Sequence, residues 1–169
     1  MPDTRNIRRP IVTVETQAFC NAARARRLVV PTCGACGKAH WYPRAICPFC
    51  GSDKIEWRAA SGRGQIYSYS VMRRAKEPYA IAYVTLAEGP AMLTNIVACD
   101  FDALRVGQTV SVVFQDSEDG PPVPMFKPAE YTDIPPQPEV RGVQRRASKG
   151  EATTPRPASF EGRFAATSG

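Results

Sequence analysis

Four cysteines in two pairs, Cys33/Cys36 and Cys47/Cys50, are the residues whose type and spacing promise chemistry. They lie in the run CGACGKAHWYPRAICPFC. A Cys-x-x-Cys pair lets one tight turn aim two thiolates at one ion. Two such turns facing each other supply four sulfurs, the closed tetrahedral set of a zinc site. Gly34, Gly37 and Gly51 suit backbone that folds over the sulfurs and turns N–H groups toward them. Four sulfurs leave no position for water, so the expected cofactor is one structural zinc ion with no catalytic role. Iron accepts the same ligands, and two disulfides are a third use. Disulfides need an oxidising compartment, and the leading MPDTRNIRRP has no apolar stretch of a secretory signal. The single histidine, His40, is expected to sit exposed on this ribbon, since four sulfurs already complete the metal.

The elements that must position these cysteines are short. With 169 residues the chain holds one modest core plus appendages. No apolar run approaches the ~18 residues of a membrane span, which leads us to expect no membrane partner and a cytoplasmic location. The net charge of +6 is uneven. Residues 1–51 carry eight Lys and Arg against two Asp and Glu, net +6, whereas residues 52–132 carry eight against ten, net −2. Residues 133–169 carry six against four, net +2.

In chain order, residues 1–28 read as a flexible basic arm followed by a helix over about 13–28. Thr13 is its expected cap, with Glu15 in the first turn and Arg24, Arg26 and Arg27 in the last, all favourable to the helix dipole. Its apolar stripe is thin, which marks Phe19 as an anchor on a partner, with Trp41 and Tyr42 of the ribbon beside it as further contacts. Residues 29–54 form the ribbon. From 55 to 130 the texture changes to short alternating segments, at 55–59, 65–73, 79–86, 91–97 and 109–114, separated by turns. Asp100 is expected to cap a single helical turn through Leu104. Five strands with a helical turn before the last fit a small oligonucleotide/oligosaccharide-type (OB) barrel, and 123–127 is expected to add an edge segment. Cys99 reads as a buried small hydrophobe. Residues 131–169 are a Pro/Arg-rich tail with no core-forming pattern, in which Phe160 and Phe164 are candidate anchors on another protein. The expected fold is therefore mainly β: an N-terminal helix, a zinc ribbon, a five-stranded barrel and an extended tail.

The phrases CPFCGS, SGRGQIYSYS and EGPAMLTNIV, within a pattern covering roughly residues 15–130, resemble the DUF35 family of OB-fold proteins with a rubredoxin-like zinc ribbon. The tail is longer than that family's pattern. The resemblance implies a small accessory subunit that pairs with a thiolase-fold enzyme acting on acyl-CoA in a thiolase, acyltransferase or aldolase complex. The partner would carry the nucleophilic cysteine and its histidines.

The residue inventory agrees with that implication. An independent acyl-transfer enzyme needs a nucleophile with a base beside it, and here the one histidine lies inside the metal ribbon. The expected catalytic residues are therefore none. Arg63, in a Gly-flanked turn, and Arg73, Arg74 and Lys76, between two strands, are candidates to receive CoA phosphates. The alternative class is a single-stranded nucleic-acid-binding ribbon and barrel, with Tyr67, Tyr69 and Tyr83 stacking on bases. The negative balance of the barrel segment weighs against it. A rubredoxin-like electron carrier is a third class.

Overall fold

The computed structural model describes residues 5–129. The tail 131–169, with Phe160 and Phe164, lies outside them. One helix, α1 (Gln17–Arg24), precedes seven strands: β1 (Val29–Cys33), β2 (Ile55–Ala59), β3 (Arg63–Met72), β4 (Tyr79–Leu86), β5 (Ala91–Ile96), β6 (Thr109–Gln115) and β7 (Val123–Pro128). β1 and β2 form a two-stranded antiparallel sheet, and β3-β4-β5-β7-β6 close into a barrel through the β3–β6 pair.

The sequence reading and the barrel agree on five strands but differ on which five. The segment 55–59 belongs to the ribbon, where Ile55 pairs with Cys33 and Ala59 with Val29. The fifth barrel strand is β7, which pairs antiparallel with β6 from Val110↔Pro128 to Gln115↔Val123 and touches β5 in parallel at Ile96↔Phe126. Pro124 and Pro128 donate no backbone hydrogen bond, which is why this strand reads as an edge. Before β6, residues 100–104 make a turn rather than a helical turn: the Asp100 side chain and carbonyl accept the N–H groups of Asp102 and Ala103.

Helix α1 is also shorter than the sequence pattern. Its cap position is Thr16, not Thr13; the Thr13 N–H instead bonds the Thr16 hydroxyl at 2.8 Å, and 14–16 is a turn. The far end closes in a Schellman arrangement, with Arg27 N–H donating to the Ala22 carbonyl and Arg26 N–H to that of Ala23. Arg26 occupies the left-handed position, φ 51°, where glycine is usual. Its guanidinium donates to the Phe114 carbonyl and to Asp116, both at 2.8 Å, and so ties the helix end to the barrel. The basic arm is likewise laid on the barrel: Arg5 sits 4.6 Å over the Tyr79 ring, and the Glu118 N–H bonds the Ile7 carbonyl.

The core is a single apolar cluster, in which Phe126, Ile66, Leu86, Ile96, Val84 and Val110 fill the barrel. Leu28 and Val30, at the entry to the ribbon, join the same cluster. The ribbon and the barrel therefore share one interior. Gly64 passes so close to β4 that a Cβ there would lie 2.5 Å from Val84 Cγ1 and 2.7 Å from the Thr85 carbonyl oxygen. Backbone cannot yield as a side-chain tip does. We expect Gly64→Ala to cost about 2 kcal/mol or more, read as a lower denaturation midpoint at unchanged slope.

Candidate metal centre and partner surfaces

Both cysteine pairs sit on matching turns. Gly37 N–H bonds the Cys33 carbonyl and Gly51 N–H that of Cys47, and both glycines stand at φ 72°, a conformation that side chains resist. The knuckles bring four sulfurs within 4.8 Å of one another. Cys33 Sγ lies 3.6 Å from Cys50 Sγ, and Cys36 Sγ 3.8 Å from Cys47 Sγ. Zinc–sulfur bonds of about 2.3 Å in a tetrahedron require sulfurs about 3.8 Å apart, so the donor set fits the ion. The Sγ–Sγ spacings are those of ligands sharing one ion, not the ~2.05 Å of a disulfide.

The electrostatics call for a cation among the sulfurs. The N–H of Cys36, joined by that of Ala35 and set against burial, brings the Cys33 thiol down to about 6. Cys50 is pushed up to about 12: the Ser52 N–H favours its thiolate, but the Cys33 sulfur and burial outweigh it. Sulfurs this close cannot all be thiolates unless a cation lies among them. When bound, zinc supplies that charge and cross-links two turns.

His40 departs from expectation. It is buried, 3% exposed, because Ala39 bridges to Thr32 and the His40 N–H bonds the Pro31 carbonyl, folding this segment back on β1. Neither ring nitrogen has a partner in hydrogen-bonding geometry. Burial pushes its pKa below the usual 6.5, and the Arg44 backbone offsets this only in part. The unfolded chain thus binds the proton more readily. This contribution to stability is intact above about pH 6.5 and is lost as pH falls below it. We expect the wild type to lose more stability than His40→Phe between pH 7.5 and 5.5, measured by urea denaturation; equal losses would remove His40 from the acid response.

The three residues read as partner contacts meet at one place. Phe19 and Trp41 pack edge to face, ring centroids 4.9 Å apart, and both lean on the chain's own core. With Tyr42, which is exposed, they line an apolar pocket of about 150 Å³ closed by Pro43 and Pro124. The four basic candidates, by contrast, are split. Arg63 opens β3, whereas Arg73, Arg74 and Lys76 follow its end at Met72, about 30 Å away at strand spacing. Arg73 is held by Asp102 at 2.5 Å, and Arg74 and Lys76 are exposed. Cys99 is half-buried against the core, and burial raises its pKa. The sequence reading missed Leu93, exposed between Tyr83 and solvent on the barrel wall. Alternation with buried Met92 and Thr94 is the signal that sets Leu93 outward.

A four-cysteine ribbon feeds a closed five-stranded barrel of OB type, with no nucleophile–histidine pair among the described residues. Comparison with known proteins narrows this. A family model described as "ChsH2, rubredoxin-like zinc ribbon domain" matches residues 21–56, and "ChsH2, C-terminal OB-fold domain" matches 57–115. A DUF35 domain-containing scaffold protein of Methanothermobacter thermautotrophicus is 37% identical over 99 residues, 52% of this chain and 74% of the relative. A probable enoyl-CoA hydratase alpha subunit of Thermomonospora curvata is 33% identical over 126 residues, 72% of this chain; the match spans only 40% of that relative. A solved chain of an "Ltp2-ChsH2(DUF35) aldolase" superposes with a TM-score of 0.66 at 33% identity, covering 72% of this chain and 100% of that one. The chain belongs to the DUF35 family of zinc-ribbon OB-fold proteins.

Proposed function

We propose that this chain is a non-catalytic accessory subunit of an enzyme acting on acyl-CoA, with a thiolase-fold partner supplying the reactive groups. The observation that supports the reading is the match over 72% of this chain to a chain of an "Ltp2-ChsH2(DUF35) aldolase", together with the absence of a nucleophile–histidine pair among the described residues. Its one histidine is buried in the ribbon, and neither ring nitrogen bonds a nucleophile. Tyr67 and Tyr83 are exposed, as the nucleic-acid alternative requires, but their outward neighbours on β4 and β5 are uncharged and the cations of this face stand only at its edges.

Under this reading the chain stabilises the partner and helps hold the CoA ester. Arg74 and Lys76, with Arg73 beside them, are the residues best placed to receive phosphates; Arg63 is too distant to share one with them. Purification of the tagged full chain from its source, with mass spectrometry of bound proteins, is the direct test. An acyl-CoA enzyme should co-purify. Recovery of none, or thioester turnover by the isolated chain, would overturn the reading. Within the complex, Arg73→Glu with Arg74→Glu should weaken CoA binding about tenfold, measured by calorimetry, and unchanged affinity would dismiss these arginines.

A further inference from the structure

The geometry points to the outer wall of β3, β4 and β5 as the surface that docks the catalytic subunit, an inference that rests on the reading above. The register rows Gln65–Thr85–Ala91 and Ser70–Ile81–Asn95 bound this wall. Between them no outward position is charged, in a chain where charged residues make up 22%. At its centre stand Tyr67, Tyr83 and Leu93, which are 70%, 48% and 54% exposed. Tyr83 pairs with Leu93, and Tyr67 is the extra residue of a bulge between Ile66 and Ser68, which sets it on the same side. Their inward neighbours Ile66, Val84 and Met92 are buried in the barrel, so these three side chains are not needed by the core.

Loss of charge with gain of tyrosine is the composition of an interface centre. Stacking on a nucleic acid would need cations among the rings; no outward position between these rows is a cation, and Arg5, which lies over Tyr79 and donates to Asn95, stands at the wall's edge. Its size selects the occupant. Three strands by about five residues measure about 15 by 20 Å, well short of the ~800 Å² per partner of a stable interface. A second copy meeting this wall face to face would gain too little. The wall is the centre of a larger, unlike interface. Its two ends are charged, with Arg63 near Glu88 at one and Arg74 and Lys76 beside Glu77 at the other. The partner surface therefore has an uncharged, apolar centre and a carboxylate at the rim that meets Arg74 and Lys76. The exposed ribbon residues are a poorer centre, because the Lys38 ammonium lies 5.1 Å over Phe49 and Arg44 flanks Tyr42.

The test uses the full chain co-purified with the acyl-CoA enzyme subunit identified by mass spectrometry. The triple variant Tyr67→Ser, Tyr83→Ser, Leu93→Ser should weaken that association about 30-fold or more, whereas Phe49→Ser should leave it within about threefold. A photo-crosslinking amino acid at position 83 should join the catalytic subunit. A wild-type complex whose affinity the triple variant leaves intact would overturn this surface while the subunit reading stands. A crosslink from position 83 to a second copy, or to nucleic acid, would also overturn it. Absence of any acyl-CoA enzyme from the wild-type purification would remove the subunit reading, and this inference with it.

Discussion

Replacing Cys47 with serine is expected to empty the metal site and unravel the ribbon from β1 through β2, with a loss of stability that reaches the barrel. Cys47 is buried, and its sulfur stands 3.8 Å from that of Cys36. Three remaining sulfurs hold zinc weakly, and a structural zinc in small ribbons is worth about 10–16 kcal/mol in apparent binding energy at neutral pH. Beyond the Ala39 bridge to β1, the Trp41 ring on the core and the Ala45 N–H to Glu15, few contacts fasten this region. The 34–54 segment makes isolated backbone bonds, such as Gly34 N–H to the Lys54 carbonyl and Cys47 N–H to that of Ser52. Zinc content should drop from one ion per chain to near none, and amides of 29–59 should lose hydrogen-exchange protection. The melting temperature should fall by well over 10 °C. A variant that binds no zinc but melts with the wild type would show that the ribbon stands on its contacts alone.

The second large effect is expected at Phe126. Its ring is fully buried, and its strand closes the barrel: its carbonyl accepts from Val97 N–H, and it pairs with Val112 on β6 and Ile96 on β5. Phe126→Ala removes the largest side chain of the interior and leaves a cavity between strands that cannot move together independently. The cost should be about 3–5 kcal/mol in urea denaturation. Domains of this size have about 5–15 kcal/mol in all. Phe49→Ala, at an exposed ribbon position, should change stability by less than about 0.5 kcal/mol. Equal effects at the two positions would contradict the assignment of the core.

The metal centre was legible in the sequence because its information is local: two pairs at fixed spacing, with glycines where the knuckles turn. The strands of the barrel were legible for the same reason, since alternation is written along each one. Pairing is not local. The segment 55–59 alternates like a barrel strand, yet its partner is β1, and β7 carries two prolines that mask a closing strand. His40 was misjudged because exposure was inferred from chemistry, from a metal that needed no fifth ligand. Its burial is decided by the bridge from Ala39 to Thr32, a contact between residues that no periodicity links. The helix ran short because Arg26 ends it in a conformation normally marked by glycine, and the barrel groups that hold Arg26 there lie some ninety positions away.

Leu28 and Val30 carry a consequence for anyone who would cut this molecule apart. A gene fragment beginning after the second knuckle would encode a barrel with a hole where those two side chains belong, and the excised ribbon would present them to water. Modular shuffling of the two halves between homologues should therefore succeed only when the plug travels with the vessel it stoppers.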